Sequence, residues 1–109
     1  MWIDTTRMLC SAVCGSAPRR PIVILTRDSA IPYLTALTIA PITTTIRSIP
    51  SEVVLTEDDG LFTDCAANCD HLQTIPKAKL GSFITHLSPM KLHELRDAVM
   101  FALGFDAVE

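Results

Sequence analysis

The chain has 109 residues, is 49% hydrophobic and carries a formal net charge of −3, a size and composition that suit one compact domain, residues 1–109, and are too small for two. Its longest apolar run, Ala98 to Phe105, falls far short of the roughly 20 residues that a membrane helix needs. Met8 to Val13 is interrupted by Ser11 and preceded by Asp4, which is wrong for a signal-peptide core, so a cytoplasmic protein without membrane contact is expected.

Charge is unevenly distributed. The first 50 residues hold Arg7, Arg19, Arg20, Arg27 and Arg47 against Asp4 and Asp28, a net +3, whereas residues 51–109 hold four basic and ten acidic groups, a net −6. A local cationic face can bind phosphate within an acidic protein, although its long-range steering is weak and salt-sensitive. Cys10/Cys14 and Cys65/Cys69 form two Cys-x-x-x-Cys pairs, which invites comparison with a four-thiolate zinc site. On an extended strand, however, Cys65 and Cys69 would stand about 13 Å apart, too far to share one ion. No metal site is expected, and reduced thiols serving as small core residues fit best.

In chain order, Pro21 to Leu25 is a continuous apolar run rich in β-branched residues and predicts a buried strand. Leu34 to Ile42 alternates, with Leu37, Ile39 and Pro41 on one side and Thr38, Ala40 and Ile42 on the other, and predicts a second strand with Pro41 at its edge or end. Glu52 to Leu55 is a third, closed by a turn at Glu57 to Gly60. Asp64 to Asp70 and Ser82 to Leu87 supply two more, separated by Thr74 to Leu80, where a short helical turn follows Pro76. Last comes a helix from Pro89 to Leu103. Ser88 is its N-cap, Pro89 its first residue, Gly104 its stop, and Leu92, Leu95, Val99 and Ala102 form its apolar stripe. Five or more strands followed by one amphipathic helix imply a mostly β fold, a small antiparallel barrel or curled sheet with the helix packed against it.

Four blocks, Arg19 to Thr26, Thr38 to Thr45, Glu52 to Leu55 and Asn68 to Ile75, occur here in the order and spacing seen in MazF/PemK toxins, and Gly81 to Phe105 resembles the last strand and helix of that family. The resemblance covers residues 19–105. It implies an SH3-like small barrel of the MazF/CcdB type with a C-terminal amphipathic helix, a homodimer, and the toxin role in a type II toxin-antitoxin system. The implied activity is sequence-specific, metal-independent endoribonuclease cleavage of single-stranded RNA, with no cofactor, and the implied protein partner is a cognate antitoxin.

The family pattern puts its catalytic arginine at Arg20 and its catalytic threonine at Thr43. Both make chemical sense. RNA is cut without metal when its own 2′-hydroxyl attacks the adjacent phosphorus, which calls for a base, an acid at the leaving oxygen and charge stabilisation on the phosphorane. Arg20 suits the last role, since a guanidinium is always charged and grips phosphate through two parallel hydrogen bonds. Thr43 can donate or accept a hydrogen bond and hold the scissile group in line. Around that pair, Arg19, Arg27, Thr44, Thr45, Arg47, Asn68 and Asp70 are the candidates for binding RNA. Asp70 matches an aspartate of some members and could act as base or hold the 2′-hydroxyl, whereas Asn68 stands where such members have an arginine, which leaves the proton donor unnamed. His71, His86 and His93 fall in different elements and suggest no paired-histidine site. Base specificity is expected from loops Ser16 to Arg19, Arg27 to Tyr33 and Ile46 to Glu52, where Tyr33 is the sole aromatic able to stack.

The N-terminal 18 residues are atypical. Met1 to Asp4 resembles only the tail of the family's first strand, so about half a barrel strand is expected to be missing and residues 5–18 to form a long loop at the substrate groove. An exposed sheet edge and stronger dependence on the dimer or antitoxin would follow. Two rival readings share the fold. One is a non-catalytic or degenerate module that captures an antitoxin peptide. The other is a gyrase poison like CcdB, disfavoured because the chain ends Phe105-Asp106-Ala107-Val108-Glu109 rather than in a Trp-Gly-Ile type of terminus.

Overall fold

A computed structural model describes residues 8–12 and 20–105. Its strands are β1 (Met8–Ala12), β2 (Arg20–Ile24), β3 (Ala36–Thr43), β4 (Glu52–Leu55), β5 (Cys65–Asn68), β6 (Gln73–Pro76) and β7 (Leu80–His86), followed by the helix α1 (Pro89–Leu103). All pairings are antiparallel, in the order β4-β5-β3-β2-β1-β7, with β6 beside the first half of β3. The result is a curled, barrel-like sheet with one helix, as expected for this fold class, although the hydrogen-bonded ladder does not close among the described residues.

The apolar run of β2 is explained by burial on both faces. Val23 faces a cluster with Leu9, Ala40, Ile42, Val53, Leu55, Leu95 and Ala98, while Ile22 and Ile24 face another with Cys10, Ala12, Leu37, Ile39 and Ile75. Strand residues alternate between faces, so a strand covered on both sides has no room for the polar half of an alternating pattern. Strand β3 obeys the same rule, sending Leu37 and Ile39 to the second cluster and Ala40 and Ile42 to the first.

Expectations change at β1 and at Pro41 of β3. Residues 8–12 are not loop but the strand β1, which pairs with β2 on one edge and β7 on the other. The reason is tertiary: Leu9, Cys10 and Ala12 are all buried, and a five-residue segment with Ser11 in it has too little pattern of its own to announce this. Residues 1–7 and 13–19 lie outside the described residues, and so does the proposed shortened strand at Met1 to Asp4. Pro41, expected at an edge or end, lies inside β3, two residues before its last and opposite Ile22. Leu25 N donates to Thr38 O at 2.8 Å, and antiparallel pairs alternate in bonding. The Ile22–Pro41 pair is therefore a non-bonded one, and the missing N–H of Pro41 points to the other edge of β3. That edge is where the partner changes from β6, opposite Ala36 to Ile39, to β5, opposite Ile42 and Thr43. The proline sits in the seam and costs the ladder no bond.

The remaining elements follow their local chemistry. Asp64 to Asp70 is shorter as a strand than expected because Asn68 Oδ1 accepts from Asp70 N at 3.0 Å and turns Cys69–His71 into a 3-10 turn. A further 3-10 turn, Lys77–Lys79, follows Pro76. In α1 the Ser88 hydroxyl accepts from Lys91 N at 3.3 Å, and left-handed Gly104 (φ 82°) ends the helix. Leu92, Leu95, Ala98, Val99 and Ala102 pack on the first cluster. No helix among the described residues is long and apolar enough to cross a membrane.

The sheet is brought towards closure by a turn. After β4, Thr56 and Asp59 cap each other across the 3-10 turn Glu57–Asp59, and Gly60 follows with φ 95°. A Cβ at Gly60 would lie 3.0 Å from Cγ2 of Thr85 on β7, so this turn lies against the far strand. Gly60→Ala must adopt a left-handed conformation and push on Thr85. It is expected to lower stability by about 1–3 kcal/mol, read as a fall in thermal midpoint, while Gly104→Ala meets only the conformational cost because nothing lies within 4 Å of its site.

Candidate active site

Strands β2 and β3 run side by side with the register Ile22↔Pro41, Val23↔Ala40 and Ile24↔Ile39. Continued by two residues, that register sets Arg20 opposite Thr43. By the same alternation this is a non-bonded pair, the type in which Cα atoms stand roughly 4.5 Å apart and side chains come closest. Two residues 23 positions apart in sequence are thereby brought to the same end of two paired strands. Both line a surface depression of about 390 Å³, together with Thr44, Leu61, Phe62, Thr63 and Cys65.

The chemistry within this depression is well defined. Arg20 is exposed, and its guanidinium has no carboxylate partner within ion-pair distance among the described residues, which leaves its fork available to an anion. The Thr43 hydroxyl accepts a hydrogen bond from Thr45 N at 3.1 Å. With one lone pair so occupied, the hydroxyl is oriented and its own proton remains available to donate. Thr44, also in the depression, begins a loop that carries Thr45 and Arg47 to β4. That loop is held by Arg47 N donating to Glu52 Oε1 at 2.9 Å and Glu52 N donating to Ile49 O at 3.0 Å.

A second polar group gathers at the far end of β5. Asn68 lies opposite Glu52 across the β4–β5 ladder, and Asp70 Oδ2 accepts a 2.5 Å hydrogen bond from the buried Ser51 hydroxyl. Asp70 lies four residues beyond Ala66, the partner of Thr43, roughly 10–13 Å along the chain. The structure therefore brings Arg20, Thr43 and Thr44 together, sets Thr45 and Arg47 on the adjoining loop, and places Asn68 and Asp70 with Ser51 and Glu52 as a separate group. Arg27 is in the turn beyond the other end of β2, where Ala30 N donates to its carbonyl at 3.0 Å. Arg19 lies outside the described residues.

Tyr33, the aromatic singled out from sequence, is 85% exposed in the 3-10 turn Ile31–Tyr33 before β3, at the end of the sheet that also holds Arg27. The aromatic at the depression is instead Phe62, in the segment between the Glu57 to Gly60 turn and the next strand, to which the sequence assigns no role. Its neighbour Leu61 packs towards the core, while Phe62, at the bend that follows, is fully exposed. The apolar pair Leu61-Phe62 just after a turn glycine was the available signal.

Residues 9–103 match the family model of the PemK-like, MazF-like toxin of type II toxin-antitoxin system. The chain belongs to this family. It is 40% identical over 89 residues to Endoribonuclease MazF3 of Mycobacterium tuberculosis, covering 82% of this chain and 86% of that protein. Among solved structures, the Mycobacterium tuberculosis toxin MazF-mt6 matches with a TM-score of 0.86 at 37% identity, over 93% of this chain and 100% of the other. A mycobacterial endoribonuclease solved in complex with its cognate antitoxin shares the fold, with a TM-score of 0.82 at 23% identity over 93% and 95% of the two chains.

Against this family background the cysteines are core residues. Cys10 belongs to one apolar cluster and Cys65 and Cys69 to the other, on opposite faces of the sheet, and Cys14 lies outside the described residues. Burial pushes all three described thiols above their ordinary value, with Asp64 and Asp59 adding to the effect at Cys65. Cys69 is pushed to about 11, by burial first and by the Asp70 charge second. The folded chain thus holds this proton more tightly than the unfolded chain does. Its contribution to stability is complete below the ordinary pKa of 9.0 and is lost as pH rises from there through about 11. Alkaline titration should therefore show stability falling across that window, with a Cys69→Ala variant falling less. Thr43 offers a sharper test of the depression itself. Thr43→Val keeps the shape but deletes the hydroxyl, and turnover of an RNA substrate should drop by about 10- to 1000-fold, with most of it restored in Thr43→Ser.

Proposed function

We propose that this chain is the toxin of a type II toxin-antitoxin system and acts as a sequence-specific, metal-independent endoribonuclease on single-stranded RNA. The observation that carries the reading is that Arg20 and Thr43 line one open depression, within a family whose relatives include named endoribonucleases. The scissile phosphate sits between them. Arg20 grips its non-bridging oxygens and offsets the charge that grows on the phosphorane, and the Thr43 hydroxyl donates to the same group and holds it in line for the neighbouring 2′-hydroxyl. The nucleophile belongs to the RNA, so no metal is needed to generate one.

The rest of the reading concerns partners. The protein works as a homodimer in the cytoplasm, where its thiols stay reduced, and a cognate antitoxin occupies the cationic groove and excludes RNA. Thr44, Thr45 and Arg47 bind the strand near the cut, Asn68 and Asp70 contact it further away, and Arg19 and Arg27 add cationic contacts to the RNA. Exposed apolar side chains of α1, Met90, Phe101 and Leu103, are available to a protein partner.

The direct test is cleavage of a fluorogenic RNA–DNA oligonucleotide library in EDTA. Wild-type protein should cut and leave a cyclic phosphate or its hydrolysis product. Arg20→Ala should lose about 100-fold or more in kcat, and Arg20→Lys should recover only part, because it keeps the charge without the two-pronged geometry. Binding of RNA without any cleavage, or undiminished cleavage by folded Arg20→Ala, would overturn the reading.

A further inference from the structure

Phe62 is the most exposed large apolar side chain of the described residues, at 103% relative accessibility. Isolated exposed apolar groups are common on proteins, but this one follows a backbone turn that is held in place by its surroundings. Thr56 and Asp59 lock the preceding 3-10 turn through reciprocal caps, Gly60 takes the left-handed conformation, and Leu61 N donates to Thr56 O at 3.3 Å. Leu61 then packs inward, and on the other side Cys65 is anchored in β5 with 3% exposure. The loop tip has little freedom, and the ring is presented to solvent at the rim of the depression that holds Arg20, Thr43 and Thr44.

We infer that Phe62 is the base-stacking platform of the active site, receiving a nucleobase that flanks the scissile phosphate. This rests on the endoribonuclease reading and adds a specificity-determining residue to it. A phosphate between Arg20 and Thr43 leaves its adjoining bases unstacked, and an unstacked base seeks a π-face, which any of the four bases can use. Phe62 is the one aromatic side chain lining this depression. A phenyl ring has no hydrogen-bonding group, so it holds a base without reading its edge. Edge recognition falls to hydroxyls beside it, and Thr44 and Thr63 line the same depression. A purine, with its larger surface, is the preferred occupant.

The test uses the full chain and two readouts. In the first, binding of a non-cleavable oligonucleotide with a 2′-deoxy residue at the cut site is measured for wild type, Phe62→Ala and Phe62→Trp. Phe62→Ala should bind about 5- to 100-fold more weakly with an unchanged thermal midpoint, since its side chain packs on nothing, and Phe62→Trp should bind as well as wild type or better. In the second, an abasic nucleotide is placed in turn on each side of the cut. At one position it should weaken wild-type binding by the same factor as Phe62→Ala and weaken Phe62→Ala no further. Equal affinity of Phe62→Ala and wild type would overturn the inference. So would an affinity loss that accompanies dissociation of the oligomer in sedimentation, which would make Phe62 a protein-interface residue. If wild-type protein binds the oligonucleotide in this Phe62-dependent way yet never cleaves RNA, the stacking platform stands and the endoribonuclease reading fails.

Discussion

The register between β2 and β3 is the constraint on which most of this molecule depends. Val23 opposite Ala40 and Ile24 opposite Ile39 set which side chains enter each of two apolar clusters, and the same register carried to the strand ends sets Arg20 beside Thr43. Because side chains alternate with a period of two, a slip of one residue would send Val23 to the wrong face and separate the two polar residues at the same time. Core packing and active-site geometry are therefore one decision. Burial on both faces makes the wrong register expensive, since each large aliphatic side chain moved from core to water costs about 1.5–3 kcal/mol. The site inherits its precision from that penalty.

A curled sheet with free ends must also protect them. Strand β4 is one edge of the ladder, and Lys91 on α1 donates from Nζ to Val54 O at 2.7 Å while lying 3.6 Å from Glu94. A helix side chain thus satisfies a carbonyl that would otherwise invite another strand. At the same edge the turn after β4 reaches β7 through Gly60 and Thr85. Phe62 belongs to this closing segment, so the part of the chain that completes the curl also presents the aromatic ring at the site.

Electrostatics act here at short range. The chain as a whole is acidic, so RNA gains little from the field of the entire protein at physiological salt. What matters is that the guanidinium at the depression is not neutralised by a described carboxylate, and that three carboxylates of the later strands and turns are occupied elsewhere: Asp59 caps Thr56 N at 2.9 Å, Glu52 holds Arg47 N, and Asp70 binds Ser51. Those three carboxylates are thereby committed to backbone and hydroxyl donors and not to Arg20.

Local chemistry in the sequence was sufficient for the elements with strong internal signals. The buried run at Pro21 to Leu25, the Glu52 to Leu55 strand and the Ser88-capped helix ending at Gly104 are all legible because their period, caps and breakers are short-range properties. Arg20 and Thr43 were legible through the order of the blocks around them, not through any feature of an arginine or a threonine. Other features had no local signature. Met8–Ala12 becomes a strand because it lies between β2 and β7, and Pro41 sits mid-strand because its missing donor falls in the seam between two partners. Tyr33 and Phe62 look alike as aromatic loop residues, and only the fold puts one at the far end of the sheet and the other beside Arg20. The sequence by itself determined the strands and the helix that carry strong internal signals and which residue types could handle a phosphate. Tertiary structure alone decided which of those residues meet, because neighbours across a sheet are set by register and burial, and neither is a property of any short stretch of chain.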